Sequence, residues 1–159
     1  MNIKDIRQEM ELLNDVVPLG GHRYSACLHT YEAASNQREL ILEWFTDHVI
    51  PQIPMDSASF LSIGCGAGEL DVKILAAGKE HASTIAYVGL EPDSQQCERF
   101  MSSMEFASDQ NTRIETLNTD FERCTEQRRF NRVLMVHSLY YMDDPERAIE
   151  KALNLVNES

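Results

Sequence analysis

Apolar residues recur at three- and four-residue spacing at Ile3, Ile6, Met10 and Leu13, so the chain is expected to open with an amphipathic helix over residues 3–14. Pro18, Gly20 and Gly21 stop it. Ser35 or Asn36 is placed to cap a second helix, with Leu40, Ile41, Trp44, Phe45, His48 and Val49 as its buried face. Pro51 and Pro54 end that helix. The pattern then changes. Phe60-Leu61-Ser62-Ile63 is a short apolar run that ends in glycines and reads as a strand. Leu70, Ile74 and Leu75 set a helix from Glu69 to Lys79. Ile85 to Leu90 is a second strand, and Asp93 or Ser94 caps a helix running to about Ala107. Arg113 to Leu117 alternates like an exposed third strand. Arg132 to Val136 is a fourth, and Asp144-Pro145-Glu146 opens a last helix with proline at its favoured first turn.

Strands that alternate with helices imply an α/β fold with a parallel, doubly wound, Rossmann-like sheet. No internal repeat, low-complexity tract or linker interrupts the chain, so one structural domain is expected. Within it, residues 1–56 form an N-terminal helical segment and residues 57–159 form the strand-rich core.

Composition narrows the function. Fourteen basic residues stand against 26 acidic ones, a net charge of −12. No third of the chain is basic, and Arg128, Arg129 and Arg132 are the largest basic cluster. A nucleic-acid partner, which needs clustered Lys and Arg, is therefore not expected. No apolar run reaches the ~18 residues of a membrane span, and Met1 to Ile6 does not read as a signal peptide. Cys27, Cys65, Cys97 and Cys124 form no C-x-x-C pair. Four reduced thiols in a cytoplasmic protein, without a metal site, are the expectation. His22, His29, His48 and His81 show no metal-ligand spacing.

The strongest signal is Phe60-Leu61-Ser62-Ile63-Gly64-Cys65-Gly66-Ala67-Gly68-Glu69-Leu70, a strand that enters three glycines and then a helix. Glycines let a backbone approach a ligand, and the helix N-terminus offers N–H groups and partial positive charge. The spacing is G-x-G-x-G, with Glu69 where the dinucleotide fingerprint has its third glycine. A nucleotide-dependent oxidoreductase is therefore disfavoured. The loop looks like that of S-adenosylmethionine-dependent methyltransferases. Glu91 ends the second strand, where a carboxylate can accept from both ribose hydroxyls. Asp120, in Thr119-Asp120-Phe121, follows the third strand, where such folds receive the adenine amino group beside an apolar neighbour. A plain turn with an exposed glutamate would explain the glycines alone. It would not explain three signals at three strand ends.

Three stretches resemble those of the histamine N-methyltransferase family, a class I S-adenosylmethionine-dependent group. They are Leu61 to Asp71, Glu91-Pro92-Asp93-Ser94-Gln95-Gln96, and Met135-Val136-His137-Ser138-Leu139-Tyr140-Tyr141. The resemblance implies that Gly64, Gly66, Gly68 and Glu91 hold the cofactor, with Gln96 adding a polar contact and Val136 beside it. It places His137 where the family has a substrate-facing glutamine. His29-Thr30-Tyr31-Glu32-Ala33-Ala34 resembles the family's pocket-lining stretch, and Glu32 falls on its substrate-binding carboxylate. The alanines after Glu32 and the histidine at 137 depart from that pattern.

The resemblance implies an N-methyltransferase acting on a small amine or imidazole. Methyl transfer to a neutral nitrogen is an in-line displacement that needs orientation and desolvation more than a strong base. His137 is the candidate proton acceptor or substrate contact. Tyr140 and Tyr141 are candidates for an aromatic wall, one toward the pocket and the other toward the core. Cys65, near a helix N-terminus, is a candidate for a lowered thiol pKa, although a small filler is the simpler role. Trp44 is expected in the core.

Length sharpens the picture. A sheet of this type usually has seven strands, and 159 residues provide four. The chain is expected to stop in the helix after the fourth strand, leaving Val133, Leu134 and Val136 on an exposed edge open to pairing. The alternative function is therefore a cofactor-binding fragment or module that is catalytically incomplete and needs a partner chain.

Overall fold

A computed structural model describes residues 34–157, together with Cys27, Thr30 and Tyr31. The expected helix at 3–14 and the candidate Glu32 lie outside the described residues. The chain divides into two compact units at Arg38 and Glu39. In the first, the Tyr31 hydroxyl donates to Gln37 Oε1 at 3.1 Å, and Gln37 N donates to Ser35 Oγ at 3.1 Å. Ser35 thus provides the helix-start contact that its sequence position suggests.

Helix α1 runs Gln37–His48 and a single 3-10 turn follows at Ile50–Gln52. Then come β1 (Ala58–Ile63), α2 (Glu69–His81), β2 (Ile85–Leu90), α3 (Ser94–Ala107), β3 (Thr112–Leu117) and β4 (Arg132–Leu134). A second 3-10 turn, Leu139–Tyr141, leads to α4 (Pro145–Leu153). The four strands form one sheet in the order β3-β2-β1-β4, with every pair parallel. The chain moves outward in one direction to β3 and then returns to lay β4 on the other side of β1. The order reverses between β1 and β4, which opens a crevice at their C-terminal ends.

The two central strands are buried on both faces, which is why they read as nearly continuous apolar runs. Alternate side chains enter two separate cores. On one face Phe60 and Tyr87 pack with Phe45, Ile50, Ile53, Ile74, Leu75, Phe100 and Met104. Their rings form a row, with Phe60 on Tyr87 at 5.3 Å and Tyr87 on Phe100 at 6.3 Å. On the other face Leu61, Ile63, Val88 and Leu90 pack with Phe121, Phe130, Ala148, Ala152 and Leu155.

Several expectations are corrected. Leu40 and Trp44 are 54% and 58% exposed, and His48 is also exposed. Phe45 alone is fully buried on α1. The four-residue spacing 40, 44, 48 is real, but that stripe points away from the sheet, and Trp44 stacks on His48 at 5.5 Å. Strand β4 ends at Leu134 instead of Val136 because the chain bends there and His137 adopts φ +56°. Nor does the described chain end in a helix. Past α4, Leu155 is buried and Val156 forms a parallel bridge to Phe130. Phe130 N donates to Leu155 O and Asn157 N to Phe130 O, both at 2.8 Å. That bridge lies just before β4; Arg132 to Leu134 pair with β1 alone among the described residues, so β4 is an edge of the sheet as expected.

An ion cluster ties the long β3–β4 connection to the sheet. Arg128 donates to both oxygens of Glu115 at 2.8 and 3.0 Å, and to Glu126 Oε2 at 2.5 Å. The Arg128 guanidinium holds Glu126 down from 4.5 to about 2 and lowers Glu115 as well. Carboxylates with a depressed folded pKa add stability above their unfolded value, and that stability is lost as pH falls through the folded value. For Glu126 the window lies between 4.5 and about 2. Because Arg128 is half exposed, the cluster contributes about 0.2–1 kcal/mol. Arg128→Ala is therefore expected to lower stability by about that much near neutral pH and to flatten acid denaturation below pH 4.5, as read by urea titrations across pH.

Candidate functional site

The loop after β1 is fixed by backbone pairing. Gly64 N and Cys65 N both donate to Leu90 O, at 2.8 and 3.3 Å. Gly64, Gly66 and Gly68 all have positive φ, at 69°, 56° and 79°, so each needs the freedom of glycine. Their surroundings differ. A Cβ on Gly64 would lie 2.5 Å from Ser138 Cβ, and one on Gly68 would lie 2.8 Å from the Phe100 ring. A Cβ on Gly66 would meet nothing within 4 Å. Gly64 and Gly68 are therefore required by internal packing, whereas Gly66 is the glycine of the three that faces open space. Helix α2 starts directly from Gly68 with no side-chain cap.

Glu91 is built into this loop. Its Oε2 accepts from Gly66 N and its Oε1 from Asp93 N, both at 3.1 Å. One carboxylate therefore joins the glycine loop to the start of α3. Asp93 caps α3 by accepting from Gln95 N and Gln96 N. Gln96 sits half-buried in that first turn. Asn118, which sequence reasoning missed, donates to Glu91 O at 3.0 Å and to Pro92 O at 2.9 Å. Its position just past a strand end, two residues before Asp120, was the available signal.

Asp120 follows β3 at the same end of the sheet. Its Oδ1 accepts from Arg123 N at 2.9 Å, and its Oδ2 lies 3.5 Å from Arg123 Nε. Lys151 holds this turn from the other side, donating to Phe121 O, Glu122 O and Cys124 O. Phe121 does not stand free beside Asp120 as the sequence suggests. It is 2% exposed in the core, with the Lys151 ammonium 4.7 Å from its ring centroid.

Beyond β4, Val136 is half-buried against the first core, and His137 is exposed. Tyr140 and Tyr141 are both exposed, with ring centroids 4.5 Å apart, so neither enters the core. They lie in the 3-10 turn Leu139–Tyr141, of which Leu139 is the residue that packs against the second core. The Cys65 thiol is pushed up, not down: burial dominates, reinforced by the charges of Asp71 and Glu91. It is a neutral filler against Gly89. Beneath the loop, the buried Tyr87 hydroxyl donates to buried Asp71 at 2.8 Å.

The structure thus gathers Gly64, Gly66, Gly68, Glu91, Gln96, Asp120, Val136, His137, Tyr140 and Tyr141 at the C-terminal ends of four parallel strands. The residues fit a nucleoside carrying an amino-acid tail. Gly66 leaves a cradle open, Glu91 offers a carboxylate beside it, and Ser138 Oγ, between β4 and Gly64, is buried without a hydrogen-bond partner. Among the described residues no group of three His, Cys, Asp or Glu is arranged to hold a metal. No described helix is long and apolar enough to cross a membrane.

The glycines can be ranked by what surrounds them. Gly68→Ala combines backbone strain with overpacking against Phe100, and is expected to cost about 2–4 kcal/mol. Gly66→Ala carries strain alone, about 1–2 kcal/mol. Denaturant unfolding of the two variants checks the order.

Comparison with known proteins agrees with this geometry. Among solved structures, the plantazolicin methyltransferase BpumL, in complex with a triazolic desmethylPZN analog and SAH, matches with TM-score 0.63 at 15% identity over 86% of this chain and 50% of its own. The N-methyltransferase NodS from Bradyrhizobium japonicum WM9, with S-adenosyl-L-homocysteine, matches with TM-score 0.57 at 18% identity over 77% of this chain and 56% of its own. The [4+2]-cyclase SpnF matches with TM-score 0.55 at 21% identity over 71% of this chain and 40% of its own. The chain spans about half the length of these proteins. No curated protein sequence matches it. A family profile described as a methyltransferase domain matches residues 33–159, and the chain belongs to that methyltransferase-domain family.

Proposed function

We propose that the chain binds S-adenosylmethionine and serves in methyl transfer to a nitrogen of a small amine or imidazole. The observation that carries the cofactor reading is the Glu91 carboxylate held against Gly66 N at the open glycine of the loop. Family membership and fold-level neighbours crystallised with S-adenosylhomocysteine support it. The substrate class rests on the resemblance of the Leu139-Tyr140-Tyr141 and Glu91-Pro92 segments to histamine N-methyltransferases, and on the acidity of the chain, which favours a cationic ligand.

In this reading Gly64, Gly66 and Gly68 shape the cradle, Glu91 accepts from the ribose hydroxyls, and Asp120 accepts from the adenine amino group. Gln96 adds a polar contact and Val136 an apolar one. The cofactor, when bound, supplies an electrophilic methyl group on a sulfonium. His137, exposed at the end of β4, takes the proton from the substrate nitrogen or holds the substrate. Tyr140 and Tyr141 present two exposed rings to a cationic or heteroaromatic substrate. Glu32, outside the described residues, is proposed from its sequence position alone as an anion for a protonated amine group of the substrate. We further propose a cytoplasmic setting.

A second reading has its own support. The chain spans about half the length of the matched structures, and SpnF shows that the fold also serves a cyclase. Under it the chain binds cofactor without turnover and pairs through the β4 side of the sheet with a partner that completes the substrate side.

Calorimetry of the full chain with S-adenosylmethionine and S-adenosylhomocysteine tests the cofactor reading. Saturable one-site binding is expected, with Glu91→Ala weakening it by about tenfold or more, the scale of a lost charge-assisted hydrogen bond. A folded chain that binds neither ligand would falsify it. Methylation of a panel of amines and imidazoles separates the two readings, since turnover excludes the second.

A further inference from the structure

We propose that the Ser138 hydroxyl is a cofactor-binding group that receives the amino-acid end of S-adenosylmethionine. The proposal rests on the cofactor reading above and extends it to a residue with no role there.

Ser138 is 4% exposed, and its Oγ is the buried side-chain polar atom that lacks a hydrogen-bond partner among the described residues. Buried hydroxyls are almost always paired, so an orphan calls for an explanation. Packing explains only half of this side chain. Ser138 Cβ lies 2.5 Å from the position of a Cβ at Gly64, so a methyl-sized group fills the space over the first loop glycine. Alanine would fill it equally well. The oxygen does nothing within the fold.

The residue before it is unusual too. His137 has φ +56°, and it is the non-glycine residue with positive φ among the described residues. Side chains with a Cβ resist this conformation. Two consecutive unfavourable features therefore stand at the C-terminal end of β4, where the strand order reverses beside β1. Strain at such a place is retained when a ligand contact depends on it.

The order of the strands selects which end of the cofactor is involved. Along the sheet, Asp120 lies past β3, Glu91 past β2, the glycine loop past β1 and Ser138 past β4. Neighbouring strands are about 4.8 Å apart. A ligand with adenine at Asp120 and ribose at Glu91 therefore directs its third part toward Gly64 and Ser138. That part carries a carboxylate and an ammonium, and a hydroxyl pairs with either. Ser138 Oγ is sealed in the described fold, so the contact requires the His137–Ser138 turn to shift.

The test compares two ligands on the full chain by calorimetry: S-adenosylhomocysteine and 5′-methylthioadenosine, which keeps the adenosine and sulfur but lacks the amino-acid carbons. Wild type is expected to prefer S-adenosylhomocysteine. Ser138→Ala is expected to lose about tenfold in affinity for it, the scale of one hydrogen bond to a charged group. Its affinity for 5′-methylthioadenosine stays within about twofold, inside the spread of an untouched contact. Without ligand, Ser138→Ala is expected to melt at the same or a higher temperature, because the deleted oxygen has no partner. Ser138→Cys, which keeps the shape with a weak donor, follows the alanine variant. The proposal is overturned if Ser138→Ala binds S-adenosylhomocysteine like wild type, or if both ligands weaken in proportion. If wild type binds neither ligand, the cofactor reading itself fails and the role of Ser138 fails with it.

Discussion

The ring of Phe100 occupies the space where two glycines lack a side chain. A Cβ at Gly89 would lie 2.6 Å from it and one at Gly68 would lie 2.8 Å from it. Gly89 is on β2, Gly68 ends the loop after β1, and Phe100 is on α3. One side chain, fully buried, therefore sets the distance between the three elements that frame the crevice. Packing at this density tolerates little change in volume. The position of the loop is consequently a property of the core before it is a property of any ligand.

Polar contacts complete what Phe100 begins. Directly under the loop, Tyr87 lies in the aromatic row and its hydroxyl meets Asp71, so the core accepts a large ring without leaving its oxygen unpaired. Above it, Glu91 bonds to Gly66 N and Asp93 N, and Asn118 fixes the backbone of Glu91. The opposite face uses a different device. There the Lys151 ammonium caps three carbonyls of the turn after Asp120, which links α4 to the end of β3. Glu91 and Asp120 therefore each reach the crevice already oriented, and the orientation of each is inherited from a different layer of the fold.

The central strands were legible because each is buried on both faces, and a short apolar run closed by glycines has few other readings. The caps were legible because Asp93 and Asp144 are followed by helices whose first N–H groups they accept. Trp44 misled for a physical reason. Helical spacing identifies a stripe but not the side that meets the sheet, and on α1 the side is chosen by Phe45 against Phe60. Tyr140 and Tyr141 misled because a 3-10 turn does not alternate its side chains between inside and outside as a strand does. At Cys65 the simpler filler role holds and the lowered thiol pKa does not, because burial and two nearby carboxylates outweigh a helix terminus. The sequence offered only position for Asn118, just past a strand end, and no role for Ser138 within its stretch. Their significance comes from neighbours far along the chain, Gly64 for one and Glu91 for the other.

The crevice is not uniform in stiffness. On the β1 and β2 side, the loop is held by Leu90 O, by Glu91 and by Phe100, and every one of these contacts is satisfied within the fold. On the β4 side the strand is three residues long, pairs with β1 only from Phe60 to Ser62, and then passes into a left-handed histidine and an unpartnered hydroxyl. Local opening draws on the segments with the fewest satisfied contacts. Under the proposed function, the satisfied side accommodates the nucleoside, while the unsatisfied side adjusts where the amino-acid tail and the substrate meet. His137, Tyr140 and Tyr141 all follow that short strand, so the residues that would select a substrate lie on the part of the site that the sheet constrains least.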